Sequence, residues 1–141
     1  MSPETWLSLF SSVELSEAVP ENVRMLFDVS RGSLIYGYLF YPLFTLAAEQ
    51  LFRVAEAAVC AKCESLGSKT ADKKGRPLGF THYLNCLCKE NILSQDELDT
   101  WKIIRDIRHH CSHPKKQTIL PPGVIVSQLQ TVADKINRLF E

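Results

Sequence analysis

The sequence predicts an all-α fold: a helical bundle of about five helices around a long central helix kinked at a proline. Three observations predict it. Apolar residues recur at three- and four-residue steps over Leu34–Leu66, after Ser94 and over Val124–Phe140, the spacing that lines one face of a helix. Ser94-Gln95-Asp96-Glu97 is a capping box, in which serine and glutamate satisfy the free amides of a helix start. Glycine and proline clusters, Gly67–Gly79 and Pro121-Pro122-Gly123, punctuate the periodic segments.

Taken in order, Pro3 opens a short helix over Glu4–Phe10, because proline suits the first helical position. Pro20 likewise starts a short helix with Val23, Leu26 and Phe27 on one side. Arg31-Gly32-Ser33 is expected to break the pattern, with Ser33 capping the next helix. Leu34–Leu66 reads as one helix, kinked near Pro42 for want of an amide hydrogen. Its core stripe is Leu39, Leu43, Leu46, Ala47, Leu51, Val54, Ala55, Ala58 and Val59, and Glu49 and Arg53 are spaced to pair on its outer side. Gly67–Gly79, with four basic residues and almost nothing to bury, reads as a mobile solvated connector or as an arm that touches an anionic partner. Phe80–Asn91 is a shorter helix with Phe80, Tyr83, Leu84 and Leu87 inward. The helix after the capping box carries Leu98, Trp101, Ile104 and Ile107, and should end near Cys111 or Ser112, since Pro114 disfavours a helical His113. Residues 114–122 form a loop, and Val124–Phe140 closes the bundle with Val126, Leu129, Val132, Ile136 and Leu139. The 141 residues suit one domain, in which 1–32 form an N-terminal extension packing on the bundle.

Composition narrows the function classes. Hydrophobic residues at 45% and charged residues at 23% are the balance of a globular chain, and the net charge of +0 excludes polyanion binding by bulk charge. The charges are nevertheless segregated. Glu4, Glu14, Glu17, Glu21 and Asp28 oppose Arg24 alone in the first thirty residues, as a count of the sequence shows. Lys102, Arg105, Arg108, Lys115 and Lys116 oppose Asp106 alone between Trp101 and Lys116. Gly32–Ala48 is uncharged but interrupted by Gly37 and Pro42, and falls short of the ~20 apolar residues of a spanning helix, so no membrane partner is expected. The N-terminus lacks the pattern of a secretory signal, and five cysteines then read as reduced thiols of a cytoplasmic protein.

The chemistry concentrates in Ile-Ile-Arg-Asp-Ile-Arg-His-His-Cys-Ser-His-Pro, residues 103–114. On a helix Arg105 and His109 share a face, as do Asp106 and His110, and Arg108 follows Arg105 by one turn. Guanidinium grips phosphate through two parallel hydrogen bonds, and imidazole titrates near neutrality. Together they suit attack of an RNA 2′-hydroxyl on its neighbouring phosphate, a reaction that needs one proton acceptor and one cation but no metal. The bland alternative is that Arg108 and His113 cap the helix C-terminus, worth ~0.3–1 kcal/mol.

Arg108-His-His-Cys-Ser-His113 fits the arginine, four to six residues, histidine motif of the HEPN superfamily, and Ala47–Arg53 is similar to that family's long early helix. The chain thus resembles HEPN domains over roughly residues 33–140. The resemblance implies an all-α bundle, usually a dimer that brings two motifs into one cleft. Many such domains are metal-independent endoribonucleases of toxin–antitoxin, abortive-infection or CRISPR defence systems; others are noncatalytic dimerisation or scaffold modules. Carried onto this chain, Arg108 would contact the phosphate, His113 would act as acid or base, and His109 would orient the pair. The neighbouring Arg105, Lys115 and Lys116 are the expected ligand-binding residues. The implied partners are a second copy, RNA or a nucleotide, and a cognate antitoxin or other partner protein, with no cofactor. His109 stands where the family more often has asparagine, and the motif here runs into Pro114.

Cys60-Ala-Lys-Cys63 and Cys86-Leu-Cys88 invite a zinc or dithiol reading. On helices, however, Cys86 and Cys88 diverge by about 200° at ~100° per residue, which favours small buried hydrophobes and no metal. Trp101 and Tyr83 read as core, and Tyr36, Tyr38 and Tyr41 as either a dimer face or intrachain packing.

Overall fold

In the computed structural model the backbone of residues 1–111 and 122–141 is described, with side chains for 1–106 and 123–141. The described residues form six α-helices and no strand, so the all-α bundle is observed.

Helix α1, Pro3–Ser11, starts as Pro3 dictates, with Ser2 Oγ accepting from the Thr5 amide at 3.1 Å. It buries Trp6 and Phe10. The Trp6 indole N–H is shared between the carbonyls of Leu34 (3.1 Å) and Ile35 (3.2 Å), which ties α1 to the last turn of the next helix.

That helix, α2, spans Glu21–Tyr36 and runs straight through Arg31-Gly32-Ser33, so the expected break is absent. One glycine in a helix costs only ~0.5–1 kcal/mol, and the turn it allows buries Ser30 and Leu34. Ser33 caps nothing; its hydroxyl donates back to the Val29 carbonyl at 2.8 Å. Ser30 donates to the Ala47 carbonyl at 2.8 Å and is thereby satisfied in the core.

The long, Pro-kinked helix is instead two helices folded against each other. α2 ends at Tyr36, turns occupy 37–42, and α3 spans Leu43–Ser65 with Pro42 as its N-cap. Proline cannot sit inside a straight helix without a lost bond and a clash, but it fits a helix start. Gly37 completes the turn: a Cβ there would lie 2.6 Å from Phe44 Cε1, so only a bare backbone lets the Phe44 ring close the corner. The register of the core stripe shifts accordingly. Phe44, Ala48 and Phe52 join Ala47, Leu51, Val54, Ala55, Ala58 and Val59 inside, whereas Leu39 (81% exposed) and Leu46 (57% exposed) lie outside. Glu49 and Arg53 form no ion pair with each other.

α3 ends in a Schellman turn: Gly67, at φ +75°, is followed by Ser68 N–H donating to the Cys63 carbonyl at 3.0 Å. α4 spans Phe80–Lys89 and stops in the same way at Asn91, φ +60°. α5 spans Gln95–Cys111 and α6 Pro122–Leu139. The capping box at Ser94 forms, with the Glu97 amide donating to Ser94 Oγ at 3.2 Å. Glu97 reaches back to the serine hydroxyl, which donates to its Oε1 at 3.2 Å. Trp101, Tyr83, Leu129 and Ile136 are buried as the periodicity requires.

Helix directions follow from these contacts. α6 runs parallel to α3, since Gln128 and Val132 line a groove with Ala48 and Phe52, while Phe140 lies under Lys62. α5 runs antiparallel to both, with Glu97 beside Arg138 and Ile104 beside Val132. The C-terminal turn of α5 therefore arrives beside the start of α3. The N-terminal segment is held from the other end of the chain: Asn137 accepts from the Ser16 amide at 2.8 Å and donates to the Glu14 carbonyl at 3.2 Å.

Candidate functional site

The candidate site is the tail of α5. The capping box starts the helix, Leu98 and Trp101 clamp its first half into the core, and Ile104 packs against that core one turn before the tail. Arg105 is the basic residue of the tail whose side chain is described. One of its terminal nitrogens donates to Thr81 Oγ1 of α4 at 3.0 Å, and the other faces Asp106 Oδ1 at 3.4 Å. The side chain stays 42% exposed, so its guanidinium is oriented yet reachable. Asp106, which the spacing sets on one face with His110, thus faces Arg105. Arg108 and His109 belong to the last turn of α5, and their side chains lie outside the described residues. His113, Lys115 and Lys116 also lie outside them.

Beside the tail, Ala48, Phe52, Ile103, Ile104, Gln128 and Val132 line an apolar groove of about 180 Å³ between α3, α5 and α6. Ile103 and Ile104 form its α5 wall, whereas Arg105, about 100° further round the helix, is directed to Thr81 of α4. Helical periodicity makes Ile103 and Ile104 core candidates, but it cannot show that α3 and α6 stand apart there.

The thiols form a separate group. Cys60, Cys63, Cys86 and Cys88 are all free. Cys63 is fully buried, its thiol donates weakly to the Tyr83 carbonyl at 3.5 Å, and burial, aided by the neighbouring Cys86, pushes its pKa up to about 12. Burial also raises Cys60. Such thiols are poor nucleophiles and poor metal ligands. Among the described residues no group of three His, Cys, Asp or Glu side chains could hold a metal ion.

The periodicity pattern gives no warning of a third feature, an outward apolar face at the α2–α3 corner. Met25, Val29 and Tyr36 form an exposed line along α2, continued by Leu39 and Phe40 of the turn. Leu46 stands one turn before Gln50, whose amide reaches the Leu26 carbonyl at 3.3 Å, so it faces the same side of α2. Tyr38 is drawn to the other side, where its hydroxyl donates to the Met1 carbonyl at 2.9 Å and its ring meets Trp6. The clue in the sequence is the crowding of Tyr36 to Tyr41 around a glycine and a proline, too many large side chains for a six-residue corner to bury.

Among the described residues no helix is long and apolar enough to cross a membrane. Comparison with protein-family models, with curated proteins and with solved structures finds no match to this chain.

Proposed function

We propose that the chain is a HEPN-like helical domain that binds the phosphate of RNA or of a nucleotide at the tail of α5. In this reading it cleaves RNA without a metal, Arg108 gripping the phosphate, His113 moving the proton and His109 orienting the pair. The observation that carries the proposal is the state of Arg105: a guanidinium oriented by Thr81, accessible and one turn before Arg108. Arg105, Lys115 and Lys116 would add positive charge around the phosphate. The test is cleavage of single-stranded RNA in chelator by the wild type, Arg108→Ala and His113→Ala, with helicity followed by circular dichroism. Both variants should lose cleavage and keep their helices. Cleavage undiminished in both would remove the catalytic part of the proposal.

A second reading, a noncatalytic dimerisation or scaffold module, draws on the apolar face. Met25, Val29, Tyr36, Leu39, Phe40 and Leu46 are 57–81% exposed, large apolar side chains of the kind that interface centres bury. The occupant proposed is a second copy of this chain, since a neutral, uncharged face on a molecule of net charge +0 meets no repulsion from itself. The two readings share the dimer and part at turnover, which the chelator assay decides.

A further inference from the structure

The connector between α3 and α4 is folded. Ala71 and Pro77 pair as an isolated antiparallel bridge, the Asp72 amide donates to the Arg76 carbonyl at 2.9 Å, and Leu78 N–H donates to the Thr70 carbonyl at 3.1 Å. The Tyr83 hydroxyl holds the root by donating to the same Thr70 carbonyl at 3.0 Å. At the tip the Asp72 carboxylate organises everything. Its Oδ1 accepts from the amides of Lys74 (2.8 Å) and Arg76 (2.9 Å), and its Oδ2 accepts from Arg76 Nε at 2.9 Å. Gly75, at φ +78°, makes the reversal. The result is a small hairpin finger whose one negative charge is consumed internally.

The outward side of the finger is cationic. Lys69, Lys73, Lys74 and Arg76 are solvent-accessible, and among the described residues no carboxylate pairs with the three lysines. Arg76 is held through Nε alone, its side chain 71% exposed, which leaves its two terminal nitrogens free to donate. Glu64, the acidic group at the root, accepts from Thr70 and Cys60 and so faces away from the tip. A connector needs only length; holding cations in a fixed array removes ordering cost from the binding of an array of anions. The finger also stands near the α5 tail. Thr81, which holds Arg105, is five residues after Arg76, a chain path of at most about 18 Å.

We propose that this finger is a preformed second contact for the backbone of single-stranded RNA, with Lys73, Lys74 and Arg76 taking phosphates of a strand whose neighbouring nucleotides lie at the α5 tail. The inference rests on the reading of that tail as a phosphate site, and adds that the bound species is a strand several nucleotides long rather than a single nucleotide.

The test uses the full chain and a fluorescein-labelled, mixed-sequence RNA carrying 2′-O-methyl groups, which cannot be cleaved by 2′-hydroxyl attack. Anisotropy titrations over a salt series give affinity and its salt slope. Each phosphate contact on a single strand contributes about 0.7 to the slope, which is ~fivefold in affinity between 1 M and 0.1 M salt. Lys73→Gln/Lys74→Gln should therefore lower the slope by about 1.4 and weaken binding up to ~25-fold at 0.1 M salt. Two substitutions at Asp72 separate preorganisation from charge. Asp72→Asn keeps the oxygen that accepts both amides, whereas Asp72→Ala loses it, and both raise net charge equally. Asp72→Asn should bind at least as tightly as wild type and Asp72→Ala more weakly. Equal affinity of these two variants, or an unchanged slope in the double lysine variant, overturns the finger. Arg108→Ala runs beside them. If it alone loses binding, the α5 tail stands and the finger falls; if only the finger variants lose binding, the tail reading falls. A wild type that does not bind the RNA overturns both.

Discussion

Replacing Gly37 by alanine distinguishes a folded corner from a kinked helix. Gly37 has φ −59° and ψ −19°, which alanine adopts freely, so a backbone argument alone predicts stabilisation of ~0.4–1 kcal/mol through the unfolded state. The corner predicts the opposite sign. The new methyl would sit 2.6 Å from Phe44 Cε1 and 2.9 Å from Cδ1. Phe44 is 3% exposed, and its ring is pinned by Trp6 at 5.5 Å and Tyr41 at 4.8 Å between centroids, so it cannot step aside cheaply. Overpacking of this kind costs ~1–3 kcal/mol, and the net change should be a loss of about 1–2 kcal/mol. Gly32→Ala is the control, because a Cβ at Gly32 meets nothing within 4 Å inside α2 and should stabilise by ~0.5–1 kcal/mol. Urea unfolding followed by circular dichroism measures both. In a Phe44→Leu background the Gly37→Ala penalty should shrink or vanish, a coupling expected only between touching residues. If Gly37→Ala stabilises as Gly32→Ala does, the ring does not close the corner, and the continuous kinked helix regains its standing.

Trp6→Phe should cost about 1–3 kcal/mol with little change in helicity, because the carbonyls of Leu34 and Ile35 lose their indole donor at the end of α2; an unchanged urea midpoint would contradict this. Cys63 keeps its proton in the folded state up to about 12, against 9.0 for an ordinary thiol, so stability is fully present below about 9 and falls as pH rises toward 12. In thiol titration at pH 8 Cys63 should react only on unfolding, and fast native labelling there would refute its burial. The amides of Arg76 and Lys74 hold the Asp72 carboxyl below its ordinary 3.8, with the Arg76 amide the largest cause. Its hold on the finger is present at higher pH and is lost as pH falls through the lowered value, so the amide resonances of Lys74 and Arg76 should titrate with a midpoint under 3.8.

How far the sequence shows the fold depends on whether the deciding force is local. The start of α1 at Pro3, the capping box at Ser94 and the burial of Trp101, Leu129 and Ile136 are readable because capping and helical periodicity act within a few residues. The corner at Gly37–Pro42 is not, because proline at 42 is equally compatible with a kink and with a helix start; the choice falls to Phe44, whose ring packs on a glycine backbone seven residues earlier. The shifted stripe comes from the same contact, which moves Leu39 and Leu46 out and Phe44 and Phe52 in. Gly32 misleads because its cost as a helix breaker is smaller than the gain from burying Leu34. At the candidate site the sequence identifies Arg105 as a basic residue of the tail, but not Thr81 as its partner, since no periodicity links positions 24 residues apart on different helices.

The apolar corner and the α5 tail come level with each other along α3 for a topological reason. α5 runs antiparallel to α3, so the turn holding Arg108 comes level with the first turns of α3, where Leu46 is exposed. An isologous pairing through Leu39, Phe40 and Leu46 would place two α5 tails in one particle, and a strand long enough to span them could then engage both. Linking two weak sites raises apparent affinity ~10²–10⁴-fold where geometry permits simultaneous contact. Leu39→Asp/Leu46→Asp tests this at little cost to the fold, because both side chains are already in water. The double variant should sediment as a monomer where the wild type sediments as a dimer, and it should bind a long strand at least tenfold more weakly while binding a dinucleotide unchanged. A wild type that is monomeric at micromolar concentration would reject the pairing outright. A monomeric variant that still binds the long strand fully would keep the interface but deny it any part in presenting the two tails, and each tail would then act alone.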